Sequence, residues 1–148
     1  MRAFFRVDAS DTIGTGHVAR CLNLAEALRR RGAEVVFVSQ DLTGNMHMAV
    51  IEAGFEQRVI PELLAPTTSS DVEGRSLDAA RQDAEATIRS LGHQRPDWLI
   101  VDHYALDDEW ERLLEPHVHS ILVIDDLANR RHKCDVLLDQ NFSLNGKQ

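Results

Sequence analysis

The stretch "AFFRVDASDTIGTGHVARCLNLAEALRRRG", residues 3–32, decides the fold. "AFFRV" (3–7) predicts a strand. Val18, Cys21, Leu22, Ala25 and Leu28 then recur at helical spacing until Gly32 stops the pattern. Between them Gly14 and Gly16 bracket Thr15, so the chain turns sharply out of the strand and enters a helix whose first amides face the same space. A strand, a tight glycine loop and a helix, in that order, open a crossover unit.

Working outward, the same alternation continues. "AEVVFVS" (33–39) predicts a second strand, apolar on both faces as a buried parallel strand is. "NMHMAVIEAGF" predicts a helix ending at Gly54, "EQRVI" a short strand, and residues 61–75, with two prolines and several serines and threonines, a mobile loop. A helix follows over 77–92, striped by Leu77, Ala80, Ala84, Ile88 and Leu91, and then the strand "DWLIVD" (97–102). "DEWERLLEP" predicts a shorter helix, "SILVIDD" (120–126) a strand and "CDVLLDQ" (134–140) a last one. Strand and helix repeated about five times imply right-handed crossovers and a doubly wound parallel sheet, a single α/β Rossmann-like domain over 1–148. Such sheets bind ligands beyond the carboxyl ends of the strands, where strand order reverses beside the first strand. The glycine loop and the end of "DWLIVDHY" (97–104) both fall there.

Composition bounds the function. A chain of 148 residues with 43% hydrophobic content buries one core. Sixteen basic residues against 24 acidic ones give a net charge of -8, which argues against nucleic acid or an anionic membrane as partner. Cys21 and Cys134 show neither a disulfide framework nor a paired metal-ligand spacing, so a reduced, cytoplasmic setting is expected. No segment approaches the 18 apolar residues of a membrane span.

His17 lies at the positive end of the first helix, where imidazolium is disfavoured, so a neutral ring able to take a proton is expected there. The alternative is a histidine that only caps or packs at a turn. Asp8 or Asp11 is the expected carboxylate orienting its second nitrogen, with Asp8 otherwise a cap of the loop and Asp11 a turn residue. Arg6, a charge on a central strand, either reaches the site or pairs with Asp8 or Asp125. Arg20 either reaches a ligand or bridges to an acidic loop. Asp102, His103 and Tyr104 follow the fourth strand, and the Tyr104 hydroxyl is expected to hold a ligand or water unless the ring merely covers the sheet end. Ala19 breaks a full G-x-G-x-x-G, and Ser39 and Gln40 replace the acidic residue that would hold a ribose, so a nicotinamide cofactor is not indicated. The P-loop lysine is missing too. His47, His93, His117, His119 and His132 lack ligand pairing and are expected as exposed loop histidines, without a metal. "NRRHKCD" (129–135) is expected as a solvated basic loop.

Three segments carry a family resemblance: "FFRVDASDTIGTGHVARCLNLAEAL" (4–28), "DWLIVDHY" and "LVIDDLANRRHKCDVLLDQN" (122–141). With R-x-D-x-S, then IG-x-GH-x-x-R, then DHY and DQN in order, the chain resembles the N-terminal half of the UDP-2,4-diacetamido-2,4,6-trideoxy-β-L-altropyranose hydrolases of bacterial pseudaminic acid biosynthesis, a route that serves flagellin glycosylation. The resemblance implies a glycosyltransferase-B-type architecture of two Rossmann-like domains. It also implies hydrolysis of a UDP-sugar at the anomeric carbon with inversion, without metal or cofactor, and it places His17 at the catalytic base. Arg6, Asp8, Gly14, Thr15, Gly16, Arg20, Asp102, His103 and Tyr104 are the candidate substrate-binding residues. The chain stops at "NFSLNGKQ", where the family continues into a domain that supplies most of the grip on UDP; the expectation is a first domain alone. The alternatives are a non-catalytic half-domain and a sugar-transfer domain of the same fold.

Overall fold

The computed structural model describes residues 1–63 and 72–141. Six strands alternate with four helices: β1 (Arg2–Val7), α1 (Gly16–Arg29), β2 (Glu34–Gln40), α2 (His47–Glu52), β3 (Glu56–Ile60), α3 (Val72–Leu91), β4 (Trp98–Asp102), α4 (Asp108–Leu114), β5 (Ser120–Ile124) and β6 (Val136–Leu138). The sheet order is β3-β2-β1-β4-β5-β6 and every pairing is parallel. The doubly wound sheet is therefore present, with the strand order reversing between β1 and β4.

Three expectations need correction. The helix expected from Leu77 begins at Val72, inside the expected loop, because Gly74 and Ser76 weaken the local helical signal without stopping the helix. Of the rest of that expected loop, residues 64–71 lie outside the described residues, and so does the Leu77 side chain. The last strand is also shorter than expected: β6 covers only 136–138 of the 134–140 stretch, follows β5 through a loop as expected for 129–135, and is exposed along all three residues. Its parallel register is held by the Asp125 amide donating to the Leu138 carbonyl and the Ile121 amide donating to the Asp135 carboxylate.

Because successive strand residues point to opposite faces, β1 feeds two cores. Phe5 and Val7 face Val18, Cys21 and Ala25 of α1, and the Phe5 ring stacks on Phe37 with centroids 4.9 Å apart. Phe4 faces the opposite side, with Leu99, Val101, Leu91, Trp110 and Leu114 beneath α3 and α4. Arg6 shares that second side and is 0% exposed. There Nη1 and Nη2 grip Asp8 at 2.6 and 3.0 Å, while Nε and Nη2 donate to Asp83 of α3. Trp110 Nε1, Thr87 Oγ1 and Gln40 Nε2 also donate to Asp83. Arg6 thus takes the pairing alternative, with Asp8 and Asp83 rather than Asp125. The expectation that it contacts ligand is corrected: a charge on an inward-facing strand position is retained only when its donors are matched.

Burial works against the charge of Asp8, but Arg6 and His103 hold its carboxyl far below the usual range. A depressed carboxylate contributes stability that is present above its ordinary value of 3.8 and lost as pH falls below it. Arg6→Met leaves two buried carboxylates unpaired and is expected to cost roughly 3–5 kcal/mol at pH 7. Urea denaturation across pH checks this, with the gap to wild type narrowing as pH falls through the carboxylate range.

Candidate active site

The carboxyl ends of β1 and β4 and the first turn of α1 enclose a cavity of about 400 Å³. Asp8, His17, Asp102 and His103 supply its polar wall, and Thr12, Ile13, Tyr104 and Ala105 the remainder. The loop from β1 to α1 is shaped locally. Ser10 Oγ accepts from the amides of Thr12 and Ile13, the Gly14 amide donates to the Ser10 carbonyl, and Gly14 takes φ +83°. Thr15 caps α1 by position only, with no side-chain hydrogen bond. The glycine loop was expected to touch ligand, but Gly14, Thr15 and Gly16 make the turn while Thr12 and Ile13 face the cavity. The sequence signal for those two was their place between a strand end and a glycine pair, which spacing alone does not orient.

His17, 7% exposed, directs Nδ1 to Asp102 Oδ1 at 2.6 Å. The orienting carboxylate is therefore Asp102, and the expectation of Asp8 or Asp11 is corrected. The parallel pairing of β4 with β1 carries the last residue of β4 against α1, whereas Asp8 is spent on Arg6. Asp11 is drawn away: its amide donates to the Thr43 carbonyl, and its side chain packs where a Cβ on Gly44 would stand, 2.2 Å from Oδ1.

Around Asp102 the donors are complete. Arg20 gives Nε to Oδ2 and Nη2 to Oδ1, and Cys21 Sγ donates to Oδ2 at 3.6 Å. Burial opposes the charge of Asp102, but the hydrogen bonds from Arg20 and His17 lower its titration point; burial and Asp102 together push the Cys21 thiol up. Arg20 thus takes the acidic-bridge alternative, reaching Asp126 as well at 3.4 Å. Arg20 Nη2 also lies 3.1 Å from His17 Nδ1, but the 2.6 Å contact of that nitrogen is with a carboxylate oxygen that can only accept, so Nδ1 donates to Asp102 and Nε2 carries the lone pair when the ring is neutral.

His103 donates from Nε2 to Asp8 Oδ2 at 3.0 Å and accepts the Ala105 amide at Nδ1. Tyr104 stands 43% exposed, its ring edge-on to His17 with centroids 4.5 Å apart. Its hydroxyl donates to Asp126 Oδ1 at 2.9 Å, a bond that raises its titration point above the ordinary tyrosine value. Asp126 was not foreseen; "LVIDD" ends a neighbouring strand at the same edge, which was the available signal.

The expected solvated basic loop is a clasp. His132, its side chain 4% exposed, bridges Glu111 Oε1 at 2.7 Å and Asp125 Oδ2 at 2.9 Å, and the Lys133 amide also donates to Glu111. Arg130 donates to the carbonyls of His103 and Leu106. The expectation of exposed loop histidines holds for His93, His117 and His119, but His132 is buried and His47 is half-buried against the Gln40 carbonyl. Among the described residues no group of three acidic, histidine or cysteine side chains is placed to hold a metal, and no helix is long and apolar enough to cross a membrane.

No protein-family model matches the chain. Over 141 residues it is 25% identical to UDP-2,4-diacetamido-2,4,6-trideoxy-beta-L-altropyranose hydrolase of Campylobacter jejuni, which covers 95% of this chain. The chain is similar to a nucleotide-sugar hydrolase. It spans 42% of that protein's length. In fold it is similar to CalG4, the calicheamicin glycosyltransferase, with a TM-score of 0.56 and 20% identity across 84% of this chain and 32% of that one. The expected doubly wound α/β fold is thus borne out, and the likeness to a glycosyltransferase is one of fold.

For His132, burial pulls the titration point down, but the bonds to Glu111 and Asp125 outweigh it and raise the point above 6.5. A raised histidine contributes stability that is whole below its unfolded value and lost as pH rises through the folded one. His132→Ala should therefore cost roughly 3–5 kcal/mol at pH 6. The deficit should shrink toward alkaline pH when folding stability is measured by denaturant titration.

Proposed function

We propose that this domain hydrolyses a UDP-linked 2,4-diacetamido-2,4,6-trideoxy sugar to UDP and the free sugar, with His17 as general base. The observation that carries the reading is the buried His17–Asp102 pair at the strand-order reversal, which leaves Nε2 to meet a water in the cavity. In the step, Nε2 takes a proton from water as its oxygen bonds to the anomeric carbon. The bond from that carbon to the phosphate oxygen breaks, and UDP departs with the electron pair. A pyrophosphate leaving group is stable as an anion, so a single base suffices, and attack opposite to departure gives inversion. Asp102 steadies the imidazolium until the proton returns to solvent. Thr12, Ile13, Tyr104 and Ala105 offer an uncharged wall suited to the sugar and its acetamido groups.

We propose further that a second, UDP-binding domain holds the nucleotide. In support, none of the residues lining this cavity is a lysine or arginine, and Arg6 and Arg20 reach its wall only through Asp8 and Asp102. The 148-residue chain alone is then expected to bind UDP weakly and to show no measurable hydrolysis, because positioning of both ends supplies much of the rate.

Two measurements test the reading. Free sugar titrated into the chain should shift the His17 and Tyr104 NMR signals, and UDP should not; the reverse result would overturn it. In a protein joining this domain to a UDP-binding one, His17→Asn should lower turnover by roughly 100-fold with affinity little changed. Retained turnover removes His17 from the role. Transfer of the sugar to an acceptor hydroxyl instead of water would identify the transferase alternative.

A further inference from the structure

His17 sits inside a closed ring of contacts. Its Nδ1 meets Asp102, Asp102 holds Arg20, and Arg20 reaches Asp126. Asp126 then accepts the Tyr104 hydroxyl, and the Tyr104 ring returns edge-on to His17. Each link comes from a different part of the fold: Arg20 from α1, Asp102 and Tyr104 from β4 and the residues after it, Asp126 from the end of β5. Asp126 is the only one of these groups that joins the β5 end to both other elements. Its own backbone is fixed as well, since its carbonyl accepts from the Asn141 side chain at 3.0 Å.

The charges in the ring do not cancel with a neutral imidazole. Asp102 and Asp126 bring two negative charges against the one positive charge of Arg20. Protonation of His17 brings the group to neutrality. The charges on and behind the cavity wall are engaged among themselves: Asp8 of the wall with His103 and, behind it, Arg6, and Arg130 with Asp125 beneath Tyr104, the guanidinium carbon 5.8 Å from the ring centroid. Cys21 faces Asp102 as a neutral thiol donor.

We infer that Asp126 is a positioning residue for the His17 base: its carboxylate fixes Tyr104 and Arg20 around the imidazole and supplies the second negative charge that a protonated His17 requires. This rests on the proposed function only in taking His17 as the group that accepts a proton. Asp126 touches no reacting atom; it acts through Arg20 on Asp102 and through Tyr104 on the ring.

The test needs no substrate. The His17 ring is followed by NMR across pH in the wild-type chain and in Asp126→Asn, which keeps the shape and an oxygen acceptor for Tyr104 but removes the charge. Loss of one negative charge disfavours imidazolium, so the titration midpoint of His17 should fall by roughly half a pH unit or more. Asp126→Glu should return it toward the wild-type position. An unmoved midpoint overturns the inference, and a lowered melting temperature with an unmoved midpoint makes Asp126 merely structural. If the asparagine variant does not fold, Asp126→Ser carries the same comparison. Absence of hydrolysis in any form of the protein would defeat the proposed reaction while leaving this titration result standing, so the two failures are distinguishable.

Discussion

Everything at the site depends on β4 lying parallel beside β1. That pairing sets Val7 opposite Asp102, so the strand that enters the glycine loop and the strand that ends in a carboxylate terminate together at one edge. The helix after the loop then delivers His17 to Asp102 without any long-range adjustment. The crossover through α3 that makes this adjacency possible is the same feature that reverses the strand order, so the opening between the strands and the base beside it have one cause.

A second constraint is charge. The cavity is backed by arginines, yet each of those described is bound to carboxylates: Arg6 to Asp8 and Asp83, Arg20 to Asp102 and Asp126, Arg130 to Asp125. Buried pairs of this kind add little net stability over apolar packing, but removing one partner is costly. Their effect is to fix side chains in single positions. Asp8 holds His103 and Asp102 holds His17, so two histidines on one wall have assigned donors and open faces toward the cavity. The clasp formed by His132 does the same for the loop that carries Arg130, linking α4 and the end of β5 to the carbonyls beneath Tyr104.

The likeness to a UDP-sugar hydrolase is one of sequence over part of that protein's length, and the likeness to a glycosyltransferase is one of fold. In both hydrolysis and transfer, a hydroxyl-bearing nucleophile loses a proton as it attacks a sugar. Under the proposed function, His17 serves that common step.

Short apolar runs bounded by turn residues, and 3.6-residue stripes between them, made the strands, the helices and their order legible in the sequence. The glycine pair before an amphipathic helix likewise located His17 at a helix start. Where local signals were weak, as at Gly74, Ser76 and the exposed residues of β6, the expected boundaries were displaced. Partnership was beyond it. Nothing in the spacing of His17, Arg20, Asp102 and Asp126 distinguishes them from Asp8, Asp11 or the other acidic residues, since a side chain's partner is set by which strands become neighbours. The tertiary structure decided that Arg6 turns inward to Asp83, that Asp102 rather than Asp8 steadies the base, and that a basic loop folds over a buried histidine. In each case a buried charge is matched by the opposite charges that the neighbouring strands and helices bring within reach.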